Sequence, residues 1–235
     1  MKKIIFSSAL ILLALFSSVL NLSAQDWANL QRFQKANAEL PALAKGEKRV
    51  VFIGNSITAG WINAHPDFFS GNPYVNRGIS GQTTPQMLVR FRQDVIQLNP
   101  AVVVILAGTN DIAGNTGVST LEMIQDNLAS MAEIAAANGI KVVLSSVLPV
   151  YDYPWRKGLE PAEKIVKLNA WIKEYCGEKG FVYLDYHTPM ADERKGMIAE
   201  YTTDGVHVSS KGYDVMESLA QDAIRKALKK KQKRR

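Results

Sequence analysis

The sequence offers few of the side chains that hold covalent or metal-based structures together. There is one cysteine in 235 residues. A lone thiol closes no internal disulfide, so a packed core rather than cross-links must hold the fold. Cys176 sits in Trp171-Ile172-Lys173-Glu174-Tyr175-Cys176, which reads as helix. Nothing around it would lower a thiol pKa, so it is expected to be a buried bystander. Three histidines, His65, His187 and His207, stand far apart among scattered carboxylates. No His-x-x-x-His spacing occurs, so no metal site is expected.

Positive charge is also scarcer than it looks. The formal net charge is +6, from 28 Lys+Arg against 22 Asp+Glu. Two of the bases, Lys2 and Lys3, open the chain, and eight lie in the acid-free span 225–235. The remaining body holds 18 bases against 22 acids, a charge of −4. A generally basic surface for nucleic acid is therefore excluded. The tail at 229–235 reads as a solvated helix end whose cations complement the helix dipole.

The amino terminus is a separate matter. Lys2 and Lys3 precede an apolar run from Ile4 to Leu20, and Ser23-Ala24-Gln25 supplies small residues for cleavage. That is the plan of a secretory signal peptide over residues 1–24, implying export to the periplasm or beyond. A membrane anchor is the competing reading, since the run approaches a bilayer-spanning length. Ser7, Ser8, Ser17, Ser18 and Asn21 dilute it, which favours cleavage and no stable anchor afterwards. Residues 25–228 then form one domain of a size that buries a substantial core.

Within that domain, apolar runs alternate with helical patterns. A helix is expected from Asp26 to Leu40, stopped by Pro41. Arg49 to Gly54 is a β-branched run ending in glycine, then Asn55 and Ser56. Such a run is a buried strand breaking into a turn and a helix. A Gly/Asn/Pro-rich loop is expected over 60–73. Pro73 to Gly78 is a short second strand, followed by a helix capped at Thr83 or Thr84 and running to about Leu98, with Pro85 in its first turn. Ala101 to Ala107 is the most apolar stretch after the leader, a central strand buried on both faces. A helix from Ser119 to about Asn138 ends at Gly139. Ile140 to Val147, a helix from Pro161 to Lys179, and Phe181 to Asp185 complete the alternation. Ser209 or Ser210 caps a last helix. This order predicts right-handed βαβ units and a three-layer α/β sandwich of flavodoxin-like type, with a five-stranded parallel sheet ordered 2-1-3-4-5.

In such a sheet, ligands sit beyond the carboxyl ends of the strands. The polar residues there are Ser56, Gly78, Asn110 and the loop Asp204-Gly205-Val206-His207. Acyl transfer needs a nucleophile, a base, an orienter for the base, and donors for the oxyanion. Ser56, His207 and Asp204 supply the first three. The backbone N–H groups of Ser56 and Gly78 and the Asn110 amide supply the last. The plain alternative for Ser56 is a helix cap. Gly54-Asn55-Ser56-Ile57-Thr58 lacks the second glycine of a Gly-x-Ser-x-Gly elbow, which disfavours the α/β-hydrolase fold.

Four blocks, Gly54-Asn55-Ser56-Ile57-Thr58, Asn76-Arg77-Gly78, Gly108-Thr109-Asn110-Asp111 and Asp204-Gly205-Val206-His207, resemble in order and spacing those of the SGNH (GDSL) hydrolases. The resemblance spans nearly the whole chain after the leader. It implies Ser56 as nucleophile, Asp204 and His207 as the rest of a triad, and Gly78 and Asn110 as oxyanion donors. It further implies the flavodoxin-like fold, no cofactor, and hydrolysis of carboxylic esters. Two positions depart from the pattern. Asn55 stands where Asp usually precedes the nucleophile, and Val208 follows His207 where Pro is common. Asp185-Tyr186-His187 is a rival acid–base pair at the end of strand five, and Asp111 is expected to brace its loop. Trp61, Tyr151, Tyr153 and Trp155 fall on expected loops and could stack on sugar rings or anchor those loops. No long apolar lid is visible. A short-acyl ester, acetyl above all, on a carbohydrate or other small molecule is the expected substrate. A lysophospholipase or thioesterase, or a glycan-binding protein without catalysis, is the alternative.

Overall fold

The computed structural model describes residues 26–230. The expected leader at 1–24 and residues 231–235 of the basic tail lie outside them. The elements are α1 (Gln34–Ala38), β1 (Val50–Gly54), α2 (Ser56–Ala64), α3 (Pro66–Ser70) and β2 (Tyr74–Gly78). Next come α4 (Thr84–Asp94), β3 (Val102–Leu106), α5 (Thr109–Ile112), α6 (Leu121–Ala137) and β4 (Lys141–Ser145). The chain closes with α7 (Pro161–Lys179), β5 (Val182–Leu184), α8 (His187–Met190) and α9 (Ser210–Lys229). All strand pairs are parallel and the sheet order is β2-β1-β3-β4-β5, as the alternation predicts.

Strand periodicity sorts the core into two layers. Alternate side chains leave a strand on opposite faces, and both faces of this sheet are covered, which is why β1 and β3 are apolar at every position. Val51, Ile53, Val103 and Ile105 pack with Met87 and Phe91 of α4, Leu128 of α6 and Leu168 of α7. Val50, Phe52, Val102 and Val104 pack with Trp61 of α2, Phe68 and Phe69 of α3, and Met216 and Ile224 of α9.

Two local expectations are overturned. The helix expected over 26–40 shrinks to Gln34–Ala38. The Asp26 carboxylate accepts the N–H groups of Leu30 and Gln31, and Asn29 adopts a positive φ of 54°, so this stretch closes as turns. The loop expected over 60–73 is largely helical, with α2 running to Ala64 and α3 opened by Pro66. Phe68 and Phe69 bury against Phe52 and Trp61 there, and that packing overrides the local turn residues.

The strand ends are glycines for a steric reason. A Cβ on Gly54 would stand 2.1 Å from Thr58 Oγ1, and one on Gly78 2.2 Å from the backbone nitrogen of Ala59. Helix α2 therefore lies directly on the ends of β1 and β2. Beneath it runs a buried polar chain. Arg90 Nη1 pairs with Asp94 at 3.1 Å, both side chains fully buried. Arg90 Nε donates to Gln82 Oε1 at 2.6 Å and Nη2 to Gly54 O at 3.3 Å. Asn37 Nδ2 donates to Asp94 at 2.8 Å. Removing one partner of such a pair strands the other charge without solvent. We expect Asp94→Ala to cost about 3–5 kcal/mol in urea unfolding, and the paired change Arg90→Met with Asp94→Leu to cost less. A loss below about 1 kcal/mol for the single change would show that the pair is not desolvated as described.

Candidate active site

The carboxyl ends of β1, β2 and β3 open onto one rim. Ser56 is the first residue of α2 and follows the last residues of β1. Asn55 Oδ1 accepts the N–H of Ile57 at 3.0 Å, so the amide at this position caps the helix as a carboxylate would. The Ser56 N–H, at the start of the helix, has no intrahelical acceptor.

His207 arrives from the opposite end of the chain. Its Nε2 lies 3.1 Å from Ser56 Oγ, and its Nδ1 lies 2.7 Å from Asp204 Oδ2. One neutral tautomer satisfies both contacts, with Nδ1–H donating to the carboxylate and Ser56 Oγ–H donating to Nε2. The turn between acid and base is tight. Asp204 Oδ1 accepts the N–H groups of Val206 at 2.9 Å and His207 at 2.7 Å, and Gly205 takes φ +88°. Thr202 Oγ1 donates to His207 O at 2.7 Å and accepts from Gly205 N at 2.8 Å, locking the loop. Burial alone would raise the Asp204 carboxyl. The hydrogen bonds from the His207 ring and from the two backbone N–H groups outweigh it, and Asp204 titrates below its ordinary 3.8.

Asn110 lies in α5, entered through Gly108 at φ +122°. Its Nδ2 donates to Gln82 O at 3.0 Å, which uses one of two amide hydrogens and leaves the other for a ligand. Thr109 is held by Tyr153, whose hydroxyl donates to Thr109 O at 2.8 Å and lies 3.0 Å from Thr109 Oγ1. Asp111 accepts the N–H and Oγ–H of Thr84, bracing its own loop against the start of α4. Burial pushes the Asp111 carboxyl up, and the bonds from Thr84 oppose it.

Three expected site residues are placed elsewhere. The Gly78 N–H donates to Asn76 Oδ1 at 2.9 Å, so it is already satisfied. Gly78 is glycine because α2 rests on it, not because a ligand approaches. The next glycine, Gly81, has φ +78°, open space where a Cβ would be, and an N–H that donates to no described residue. It lies beside Gln82, to whose carbonyl Asn110 is tied. Its signal in the sequence was the second glycine of Gly78-Ile79-Ser80-Gly81. Trp61 is 1% exposed and stacks on Phe68 and Tyr213 in the core, because α2 extends past it. Tyr153 is buried as the brace of Thr109.

Trp155 and Tyr151 do face solvent, at 49% and 54% exposure. The Trp155 ring lies 6.0 Å from the His207 ring and 5.4 Å from Tyr153. Tyr151 carries the Arg194 guanidinium over one face at 4.9 Å. The rival pair does not reach Ser56: the Asp185 carboxylate takes Thr188 N–H and Oγ–H, and His187 Nε2 is buried without a partner. Burial pushes the His187 ring down, against the pull of Asp185. Burial likewise pushes the Cys176 thiol up to about 12, consistent with an inert side chain. Among the described residues no group of three or more His, Cys, Asp or Glu side chains could hold a metal ion.

Fold and rim together define the flavodoxin-like three-layer architecture of the SGNH hydrolases. Residues 52–215 match the GDSL-like Lipase/Acylhydrolase family, and the chain belongs to it. A GDSL-like lipase from Bacteroides thetaiotaomicron, solved by crystallography, is 52% identical, with 86% of this chain and 99% of that one covered and a TM-score of 0.83. An acylhydrolase candidate from Bacteroides fragilis is 53% identical over 87% of this chain and 100% of its own, with a TM-score of 0.85. Esterase TesA of Pseudomonas aeruginosa is 34% identical over 109 residues, covering 45% of this chain and 53% of TesA. The chain spans about half the length of the curated relatives it matches.

The lowered Asp204 carboxyl has a measurable consequence. A depressed folded-state value adds stability above the unfolded value, and that stability is lost as pH falls through the folded value. We expect the stability advantage of the parent chain over Asp204→Asn to narrow as pH drops below about 4. An advantage that stays constant through that window would show that Asp204 is not held by these bonds.

Proposed function

We propose that this protein is an exported serine hydrolase of carboxylic esters, removing short acyl groups, acetyl above all, from a carbohydrate or small-molecule alcohol. The observation that carries the reading is the continuous relay from Ser56 Oγ through His207 to Asp204, at 3.1 and 2.7 Å. In this mechanism Ser56 Oγ attacks the ester carbonyl while His207 Nε2 takes its proton. Asp204 keeps the ring in the productive tautomer and stabilises its cation. The oxyanion is met by the N–H of Ser56, the free hydrogen of the Asn110 amide and the N–H of Gly81. The alcohol leaves with the proton from His207, and water repeats the sequence to free Ser56.

The short-acyl preference rests on the sequence, which shows no long apolar lid segment, and the carbohydrate preference rests on the rim. Trp155 stands exposed with its ring 6.0 Å from that of His207, and Tyr151 is exposed with Arg194 over one face, aromatic surfaces suited to sugar rings. Export rests on the basic-then-apolar leader pattern of residues 1–24, with the domain at 25–228 acting after its removal.

Hydrolysis of p-nitrophenyl acetate, butyrate, octanoate and palmitate tests the reading. We expect rates to fall steeply beyond acetate and Ser56→Ala to abolish them. A maximum at long chains would move the assignment to lysophospholipid or thioester substrates. Unaltered hydrolysis in Ser56→Ala would remove Ser56 from the chemistry. Asn110→Ala should lower kcat by roughly 10²–10³-fold, as for loss of one oxyanion donor. An unchanged rate would take Asn110 out of the oxyanion site.

A further inference from the structure

A second cluster of hydroxyl, imidazole and carboxylate lies at the far end of α2. His65 directly follows the last residue of that helix. Its Nε2 is 2.9 Å from Ser210 Oγ and its Nδ1 is 2.7 Å from Glu217 Oε1. A single neutral tautomer satisfies both contacts, with Nδ1–H donating to Glu217 and the Ser210 hydroxyl donating to Nε2. The connectivity matches that of Ser56, His207 and Asp204, with Glu217 in the place of Asp204.

The local setting matches as well. Ser210 is the first residue of α9, as Ser56 is of α2. The N–H groups of Ser210 and Lys211 donate to no described residue, whereas the N–H of Gly212 is taken by Ser209 Oγ at 3.2 Å. Two donors at the positive end of a 20-residue helix thus stand beside the hydroxyl. The acid is held from behind, because Glu217 Oε1 also accepts Trp61 Nε1 at 3.3 Å and Trp61 is immobilised in the core. Asp214 Oδ1, 3.9 Å from His65 Nδ1, adds a second negative charge on the same side of the ring. Ser210 is exposed while His65 is largely covered. A nine-residue helix separates the two serine sites, about 13 Å at 1.5 Å per residue.

We propose that Ser210, His65 and Glu217 form a second acyl-accepting serine centre, independent of Ser56, open to small activated esters from solvent. Ser210 Oγ bonds to the acyl carbon as its proton passes to His65 Nε2, and Glu217 stabilises the imidazolium. The tetrahedral oxyanion faces the N–H groups of Ser210 and Lys211. The bond from carbon to the leaving alcohol then breaks and the alcohol departs with the proton from His65, leaving acyl-Ser210. Water attacks in the same way to restore the hydroxyl. Because Ser210 is exposed, a longer acyl chain buries no apolar surface there and gains nothing over a small acyl or phosphonyl group.

The experiment uses the Ser56→Ala chain, so its outcome does not depend on the role proposed for Ser56. A small alkyl fluorophosphonate is added and modified serines are located by peptide mass spectrometry, with exposed Ser70 as the internal reference. We expect Ser210 to be modified at least about tenfold faster than Ser70, and His65→Gln in the same background to slow it by roughly 10²-fold, the share of a general base. Glu217→Gln should slow it too, and decides the matter if His65→Gln does not fold. Modification of Ser210 no faster than Ser70, or at an unchanged rate in a folded His65→Gln or Glu217→Gln chain, overturns the proposal. Those bonds would then serve only to pin the end of α2 to α9.

Discussion

The arrangement at the rim depends on how closely α2 can approach the sheet. Its first turn lies on the carboxyl ends of β1 and β2, where a Cβ at Gly54 or Gly78 would fall within about 2 Å of Thr58 or Ala59. That contact turns the chain from strand into helix within two residues. It holds Ser56 at the start of a helix, where its own N–H has no intrahelical acceptor while that of Ile57 is taken by Asn55. Ala or Ser at either glycine would lift α2 from the sheet and with it the hydroxyl. The 3.1 Å contact to His207, made across 151 residues of sequence, requires this placement.

Behind the rim, buried polar groups take over what side-chain packing cannot do, which is to fix direction. The Gln82 side chain is clamped by Arg90 and by the carbonyl of Ala28, while its backbone carbonyl holds Asn110. Tyr153 fixes Thr109 and Asp111 fixes Thr84, so the loops after β2 and β3 are tied to each other and to α4. Each of these groups is desolvated, and each is costly to bury unless its partner is in place. The network is therefore specific in geometry in a way that an apolar filling would not be.

The two serine clusters follow one structural rule. In each, a serine opens a helix, an imidazole from elsewhere in the chain reaches its hydroxyl, and a carboxylate takes the other ring nitrogen. They differ in surroundings. Beside the Ser56 cluster the half-exposed ring of Trp155 lies 6.0 Å from that of His207. Around the Ser210 cluster the polar complement is the helix start and the Asp214 carboxylate, 3.9 Å from His65 Nδ1.

Much of this was legible in the sequence because it follows from local pattern. The apolar runs at 50–54 and 102–106, their alternation with helical stretches, and the small or polar residues after each strand determined the parallel sheet and the rim. Asp204 and His207 sit three residues apart, close enough for one turn to present both. The misreadings share one cause, which is that sequence shows residue type but not direction or burial. Trp61 looked like a loop aromatic until α2 extended beneath Phe68. Gly78 and Gly81 are alike as letters, and only the hydrogen bond from Gly78 N to Asn76 tells the satisfied N–H from the unoccupied one. His65 gave no sign of Ser210 or Glu217, more than 140 residues away. The sequence by itself determined the sheet, its order and the acid–base turn, since periodicity and short spacing act locally. Tertiary structure alone decided which hydroxyl meets which imidazole and which glycine N–H stays free, because those contacts join segments that only the folded sheet brings together.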